Sequence, residues 1–254
     1  MNADTIISAL DFPDSAWVNQ RVPKKMLVEN GAPTAADKRR INEGIEEIHW
    51  LAALKPNTIG VPDYRDDVRE YLEIALLTVT LRPEAKAGCL TELIHRAIPY
   101  PLFLILLQGE LVILSLAHKR RAQNEAGRFV LDGEVLEVTA PGIAPLPPEG
   151  DRSFLDAIAL GNQPRTNLLI LYQGWIDTLV ALQASLITRT FRKAGTYEAA
   201  NAQREAVLVC KELEIYISTL RNNAVKERQI AKRIELNLEI KELGLKLADA
   251  KMKL

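Results

Sequence analysis

The rhythm of apolar positions changes several times along the chain, and each change predicts an element. Between Thr34 and Leu54, Ile41, Ile45, Ile48 and Ala52 recur at helical spacing and predict one amphipathic helix. Thr34 or Asp37 caps its start, and Lys55-Pro56-Asn57 ends it. Tyr71 to Leu81 is near-continuously apolar through Ile-Ala-Leu-Leu-Thr-Val, the pattern of a strand buried on both faces. Helical spacing returns from Glu84 to Ala97 through Ala87, Leu90, Leu93, Ile94 and Ala97. Ile98 to Ala117 is the longest apolar region and has the length of a membrane span. Gln108-Gly109-Glu110 interrupts it, and a Glu at a bilayer centre is costly. Two strand-length runs around a Gly-containing turn predict a buried β-hairpin instead. Phe129 to Val138 adds one or two short strands.

This order of helix, strand, helix and two strands predicts an α+β domain with a small mixed sheet and flanking helices. The helix between strands 71–81 and 102–107 permits a parallel crossover, while the hairpin is antiparallel. The domain spans residues 1–140. A linker over 141–164 follows, since the stretch Ala140 to Asp151 holds Pro141, Pro145, Pro147 and Pro148.

Beyond Pro164 there is no proline, and residues 165–254 read as a C-terminal αα-hairpin with a long coiled-coil-like terminal helix. Its two helices, Asn167 to Arg192 and Tyr197 to Leu254, are broken at Lys193-Ala194-Gly195-Thr196. Two seams at coiled-coil spacing lie on the second helix. One is Val209, Leu213, Tyr216 and Leu220; the other is Leu236, Ile240, Leu243 and Leu247, continued by Ala250 and Leu254. The polar stretch Arg221 to Gln229 is out of register with both. The seams predict pairing with another protein or with a second copy.

Composition narrows this picture little. The 254 residues carry 32 Lys and Arg against 33 Asp and Glu, a net charge of −1, so overall charge names no partner. Cys89 and Cys210 are too few for a disulfide framework or a four-ligand zinc site, and His49, His95 and His118 stand in unlike contexts. No metal site and no cofactor is expected. The first ten residues contain Asp4 and no basic cluster, which does not fit a secretory signal. The expectation is a cytoplasmic protein without a membrane segment.

Three sets of residues are candidates for chemistry. Asp63 and Glu73 resemble the start of a metal-dependent nuclease pattern, in which two carboxylates hold a metal and a following Glu-x-Lys supplies a cation. Here Glu73 is followed by Ile74-Ala75, without the lysine. Arg21, Lys24 and Lys25, and Lys119 within His118-Lys119-Arg120-Arg121, form basic groups suited to nucleic-acid phosphates. From Arg221 to Leu254 nine Lys and Arg face five Asp and Glu, a local excess of positive charge. Motifs for phosphate-binding loops, serine nucleophiles or zinc proteases are absent from the chain.

Several short strings combine into a resemblance. Val18-Asn19-Gln20-Arg21-Val22-Pro23-Lys24, Ile45 to Trp50 with Leu54 to Thr58, Glu73-Ile74-Ala75-Leu76, Arg96 to Phe103 and Ala117-His118-Lys119 occur in order. Together they resemble an uncharacterised bacterial and archaeal domain-of-unknown-function family of similar length. That family is typically encoded among DNA methyltransferases, restriction subunits and helicases. The resemblance implies a non-catalytic accessory or assembly subunit of a restriction-modification or phage-defence type system. Its implied partners are DNA methyltransferase or helicase subunits, with DNA within reach. A divergent nuclease and a direct DNA-binding protein are the alternatives.

Overall fold

The computed structural model describes residues 1–123, 127–140 and 148–254. The proline-rich run at 141–147, expected as a linker, lies outside the described residues. Two compact units are present, Met1–Leu179 and Val180–Leu254.

The first unit is built from α1 (Ala3–Ala9), β1 (Trp17–Arg21), α2 (Lys24–Gly31), α3 (Ala35–Gly44), β2 (Ile45–Leu54), α4 (Pro56–Ile59), β3 (Tyr64–Arg65) and β4 (Glu70–Tyr71). It continues through β5 (Ile74–Leu81), α5 (Ala87–Ala97), β6 (Leu102–Gln108), β7 (Leu111–Leu116), β8 (Lys119–Arg121), β9 (Phe129–Leu131), β10 (Leu136–Thr139), α6 (Pro148–Ile158) and the start of α7 (Leu168–Thr188). Six strands form one sheet in the order β1-β2-β5-β6-β7-β10. β5 and β6 pair in parallel, with α5 as the crossover, and every other neighbour is antiparallel. The fold is therefore α+β with a mixed sheet. β6 and β7 form the expected hairpin, with Gln108 opposite Leu111. Gly109 adopts φ +58° in its two-residue loop, a conformation glycine tolerates without strain.

β5 and β6 are apolar on both faces because both faces are covered. On one side α2, α3 and α5 bring Leu27, Ile41, Leu90, Leu93 and Ile94 onto Ala75, Leu77, Val79, Leu104 and Leu106. On the other, Phe103 meets the ring of Trp175 edge-on at 5.5 Å between centroids. Tyr172 hydrogen-bonds through its hydroxyl to Leu102 O at 2.8 Å. It also accepts from the Ala117 N–H at 2.9 Å.

The helix expected over Thr34 to Leu54 is half helix and half strand. Thr34 caps α3 by accepting from the Asp37 N–H at 3.1 Å, but α3 ends at Gly44 and β2 begins at Ile45. The strand carries two register shifts, between Ile45 and Glu47 and between Trp50 and Ala52. A bulge inserts one extra residue on one strand, so the core-facing Ile45 and Ile48 end up three apart. The bulge thus reproduces helical spacing within a strand.

Where α2 crosses α5 the backbones nearly touch. A Cβ on Gly31 would lie 2.5 Å from Ala97 Cβ and 2.7 Å from Leu93 O. Gly31→Ala is expected to cost about 1–3 kcal/mol through overpacking. Gly244, inside the last helix (Ile230–Lys251), has open space at its Cβ position. Gly244→Ala is expected to gain about 0.5–1 kcal/mol from the reduced freedom of the unfolded chain. Urea titrations of both variants against the parent check the opposite signs.

The second unit takes the remainder of α7 with α8 (Tyr197–Lys226) and α9 (Ile230–Lys251). Thr196 caps α8 by accepting from the Ala199 N–H at 3.2 Å. The single long helix expected from Tyr197 is two helices, because the polar stretch is where the chain turns, at Glu227–Gln229. The hairpin is α8 with α9, packed against each other. Residues 148–162, expected within the linker, hold α6 and a short 3-10 turn, Leu160–Asn162. Phe154 and Ile158 bury α6, and four prolines nearby did not prevent it.

Candidate functional site

A cluster of charged and titratable side chains lies in the first unit, where β3–β4 and β8–β9 meet. The Arg121 N–H donates to Val68 O at 2.8 Å and joins the two ribbons. Glu70 takes Arg65 Nη2 at 3.0 Å on one oxygen and Arg121 Nη2 on the other. Asp132 takes Arg69 through Nε at 2.9 Å and Nη2 at 2.5 Å, with Arg120 Nε at 3.8 Å. Each carboxylate thus sits between two guanidiniums. The Asp132 contact holds the Arg69 guanidinium more firmly charged than usual. Asp66 accepts from Val68 N–H, Arg69 N–H and Tyr64 O–H, and these bonds hold its carboxyl below the usual range, the Tyr64 hydroxyl first.

A chain of hydrogen bonds runs beside this lattice. Asp177 Oδ1 accepts from Gln173 Nε2 at 2.8 Å, which turns Gln173 Oε1 toward His118 Nε2, 2.8 Å away. Nε2 must then be the protonated ring nitrogen, leaving Nδ1 to accept from the Tyr71 hydroxyl. Burial pushes the Tyr71 hydroxyl well above its ordinary pKa, so it remains the donor. Tyr71, His118 and Tyr172 also pack ring to ring at 5.6–6.0 Å. The arrangement welds α7 to β4 and to the start of β8.

Below it lies a buried basic pair. Lys119 is 2% exposed, and its ammonium donates to Ile98 O. Burial lowers its pKa to about 7. His95, on the last turn of α5, contacts Ser115 Oγ through Nε2 at 2.9 Å. Burial first, then the nearby Lys119 charge, holds it well below the ordinary histidine pKa. Its Nδ1 is buried without a partner.

The residues expected to carry chemistry fall apart in space or are already engaged. Asp63 is exposed. Glu73 is buried at the start of β5 and pairs with Lys55 Nζ at 3.0 Å. Among the described residues no group of three His, Cys, Asp or Glu side chains stands ready for a metal ion. Arg21 pairs with Glu47 at 3.2 Å and Lys25 with Glu29 at 3.5 Å. Lys24 donates through Nζ to Ile45 O. Lys119 lies inside the fold, out of reach of the nucleic-acid phosphates expected for it, because the end of α5 and its following carbonyl close over it.

Glu70 holds Arg65 and Arg121, and Asp132 holds Arg69 and Arg120, so each of the four lattice arginines is engaged by a carboxylate, and the chemistry of the patch is cohesion between ribbons. The run at 118–121 was legible in the sequence, but its partners were not. Glu70 is 51 residues from Arg121, and Asp132 is 63 from Arg69, so no local motif announces either pair.

The hairpin places the two seams differently. On α8 the burying face runs Gln203, Ala206, Cys210, Leu213, Ile217, Leu220 and Ala224, three and four residues apart in alternation. Leu213 and Leu220 of the expected seam are on it, whereas Val209 and Tyr216 are 44% and 47% exposed. On α9, Leu236, Ile240, Leu243 and Leu247 are half-buried, and Ala250 is buried. Tyr216 O–H donates to Glu239 at 2.8 Å and Lys251 pairs with Glu214 at 2.9 Å, one bond on each edge of the hairpin.

The back of α9 carries a second series. Ala231, Ile234, Leu238, Lys241, Leu245, Ala248 and Met252 repeat with the same alternation. Leu238, Leu245 and Met252 are 62%, 67% and 80% exposed. Glu235, Glu242 and Asp249 line one margin of this stripe at seven-residue intervals.

A family model described as a domain of unknown function, DUF4391, matches residues 10–247. No curated protein and no solved structure matches the chain.

Proposed function

The chain belongs to the DUF4391 family, and from that footing we propose that it is a non-catalytic accessory subunit of a restriction-modification or phage-defence type system. It docks a DNA methyltransferase or helicase subunit through its C-terminal hairpin. The observation that carries this reading is the exposed heptad stripe on the back of α9. A helix that uses one seam for α8 and leaves a second, equally regular seam uncovered has the pattern of a docking element. Neither nuclease chemistry nor direct DNA contact gains an observation of comparable weight. Glu73 is engaged by Lys55, and the arginines of the lattice are matched by carboxylates.

The margin of the stripe favours a different chain over a second copy. Two antiparallel copies would set Glu235, Glu242 and Asp249 against the same acids, and two parallel copies would oppose Lys241 to itself.

Co-expression of the full chain with the DNA methyltransferase and helicase subunits of a restriction-modification system from the same genome, followed by size-exclusion light scattering, tests this. The wild type is expected to co-elute at fixed stoichiometry. Leu238→Asp combined with Leu245→Asp is expected to abolish co-elution, while the melting temperature stays within about 2 °C because both positions are exposed. A double variant that still co-elutes, or a wild type that forms only a self-dimer, overturns the reading.

A further inference from the structure

We propose that an apolar cavity between α2, β2 and β5 binds a free, uncharged ligand made of one aromatic ring and a hydroxyl, a simple phenol. The cavity encloses about 120 Å³. Its walls come from Met26 of α2, Trp50 of β2, Ala75 and Leu77 of β5, and Ile98 and Tyr100 just after α5. The room has a definite source. Ala75, Leu77 and Val79 alternate along the face of β5 that meets the helices, and the alanine leaves that face short of side chain. α2 cannot sink to fill the gap, because Gly31 already sets its backbone against Ala97 and Leu93 of α5.

Volume and polarity decide what fits. An apolar cavity of about 150 Å³ takes up one benzene ring, whereas drug-sized ligands fill about 300 Å³ or more. Among the described residues no charged side chain lines the cavity, so an ion entering it would shed its water without compensation. Trp50 donates through Nε1 to Ala52 O at 2.8 Å, and its indole therefore lines the cavity as an apolar wall already satisfied at nitrogen. Asn30 donates through Nδ2 to Met26 O at 3.0 Å, which leaves Oδ1 as an acceptor. Asn30 and Tyr100 are both exposed members of the lining, so the amide oxygen and the tyrosine hydroxyl are rim groups. One ring inside and one hydroxyl at the rim match this division, and Trp50 and Tyr100 add contact between rings. The cavity is bounded by residues of the first unit alone, so this site and the α9 stripe are independent.

Fluorine NMR titrations of the full-length protein with para-fluorophenol and with fluorobenzene test the proposal. Both are expected to bind saturably, para-fluorophenol the more tightly and with a Kd below about 1 mM. Ala75→Leu fills the gap, and it is expected to abolish binding of both ligands without lowering the melting temperature. If Ala75→Leu fails to fold, Tyr100→Ala at its exposed position decides instead, with an expected loss of about fivefold for both ligands. Asn30→Ala combined with Tyr100→Phe is expected to weaken para-fluorophenol about threefold to tenfold and fluorobenzene less than about twofold. Tetramethylammonium and a blocked tripeptide with a central tyrosine are expected not to displace para-fluorophenol at equal concentration. The proposal is overturned by a failure to saturate up to about 10 mM ligand, or by unchanged binding in the folded filling variant or its replacement. A rim double variant that does not separate the two ligands, or displacement by the ammonium ion or the peptide, also overturns it.

Discussion

Replacing Lys119 with methionine is expected to stabilise the protein at neutral pH and to flatten its stability between pH 7 and about 10. Lys119 is buried, and its folded-state pKa falls from 10.5 to about 7. In that window the unfolded chain holds the proton and the folded chain has released it, so stability rises with pH. Below about pH 7 both states are protonated, and the full cost of the buried charge remains, about 5 kcal/mol by the linkage relation. Methionine removes this cost but orphans the carbonyl of Ile98, which costs about 1–3 kcal/mol. The expected net gain at pH 7 is about 2–4 kcal/mol, and it reverses above pH 10. Urea titrations of wild type and Lys119→Met at pH 7 and pH 9.5 check this. A gain of the same size at both values would show that the ammonium charge is not the cause.

His95 gives the acid side of the same profile. Its folded-state pKa lies well below 6.5, so the unfolded chain takes up a proton first as pH falls. Stability therefore drops below about pH 6.5. That drop should persist in Lys119→Met, which separates the two groups.

Trp175→Ala is expected to cost about 3–5 kcal/mol, among the largest losses for a single side chain. The indole is fully buried on α7, meets Phe103 at 5.5 Å and Phe12 at 6.0 Å, and donates through Nε1 to Ile158 O at 2.8 Å. Truncation leaves a cavity against β6 and an unpaired carbonyl at the end of α6. Trp175→Phe keeps a ring in the site and loses mainly the hydrogen bond, for about 1–3 kcal/mol. Differential scanning calorimetry should show a fall in Tm of about 10 °C for the alanine variant and a clearly smaller one for phenylalanine. Equal shifts would mean that the hydrogen bond, not the packed volume, holds α7 to the sheet.

Much of the fold was readable because its signals are local. The β6–β7 hairpin needed only two apolar runs and a glycine between them, and β5 only an unbroken run of strand length. The cap at Thr34 was legible for the same reason, since a cap joins residues three apart. The misreading at residues 45–54 has a definite source. Its two bulges impose on a strand the spacing that normally marks a helix, and a bulge exists only once a neighbouring strand is present.

The candidate sites were less legible. Lys119 stands in a run that looks solvated, yet the carbonyl that receives its ammonium comes from the end of a helix 21 residues earlier. The Glu70 and Asp132 lattices and the Tyr71–His118–Gln173–Asp177 chain join segments far apart in the sequence.

The sequence by itself determined the run of strand, helix and hairpin from residue 71 to residue 117, the proline-free helical end and the interruption at residues 221–229, because each rests on neighbours within one or two turns. Only the tertiary structure decided that β2 is a strand, that α9 folds back on α8, and that Lys119 is inside. It also decided which α8 residues form the seam. Those outcomes depend on contacts between distant segments, where burial and pairing override local propensity.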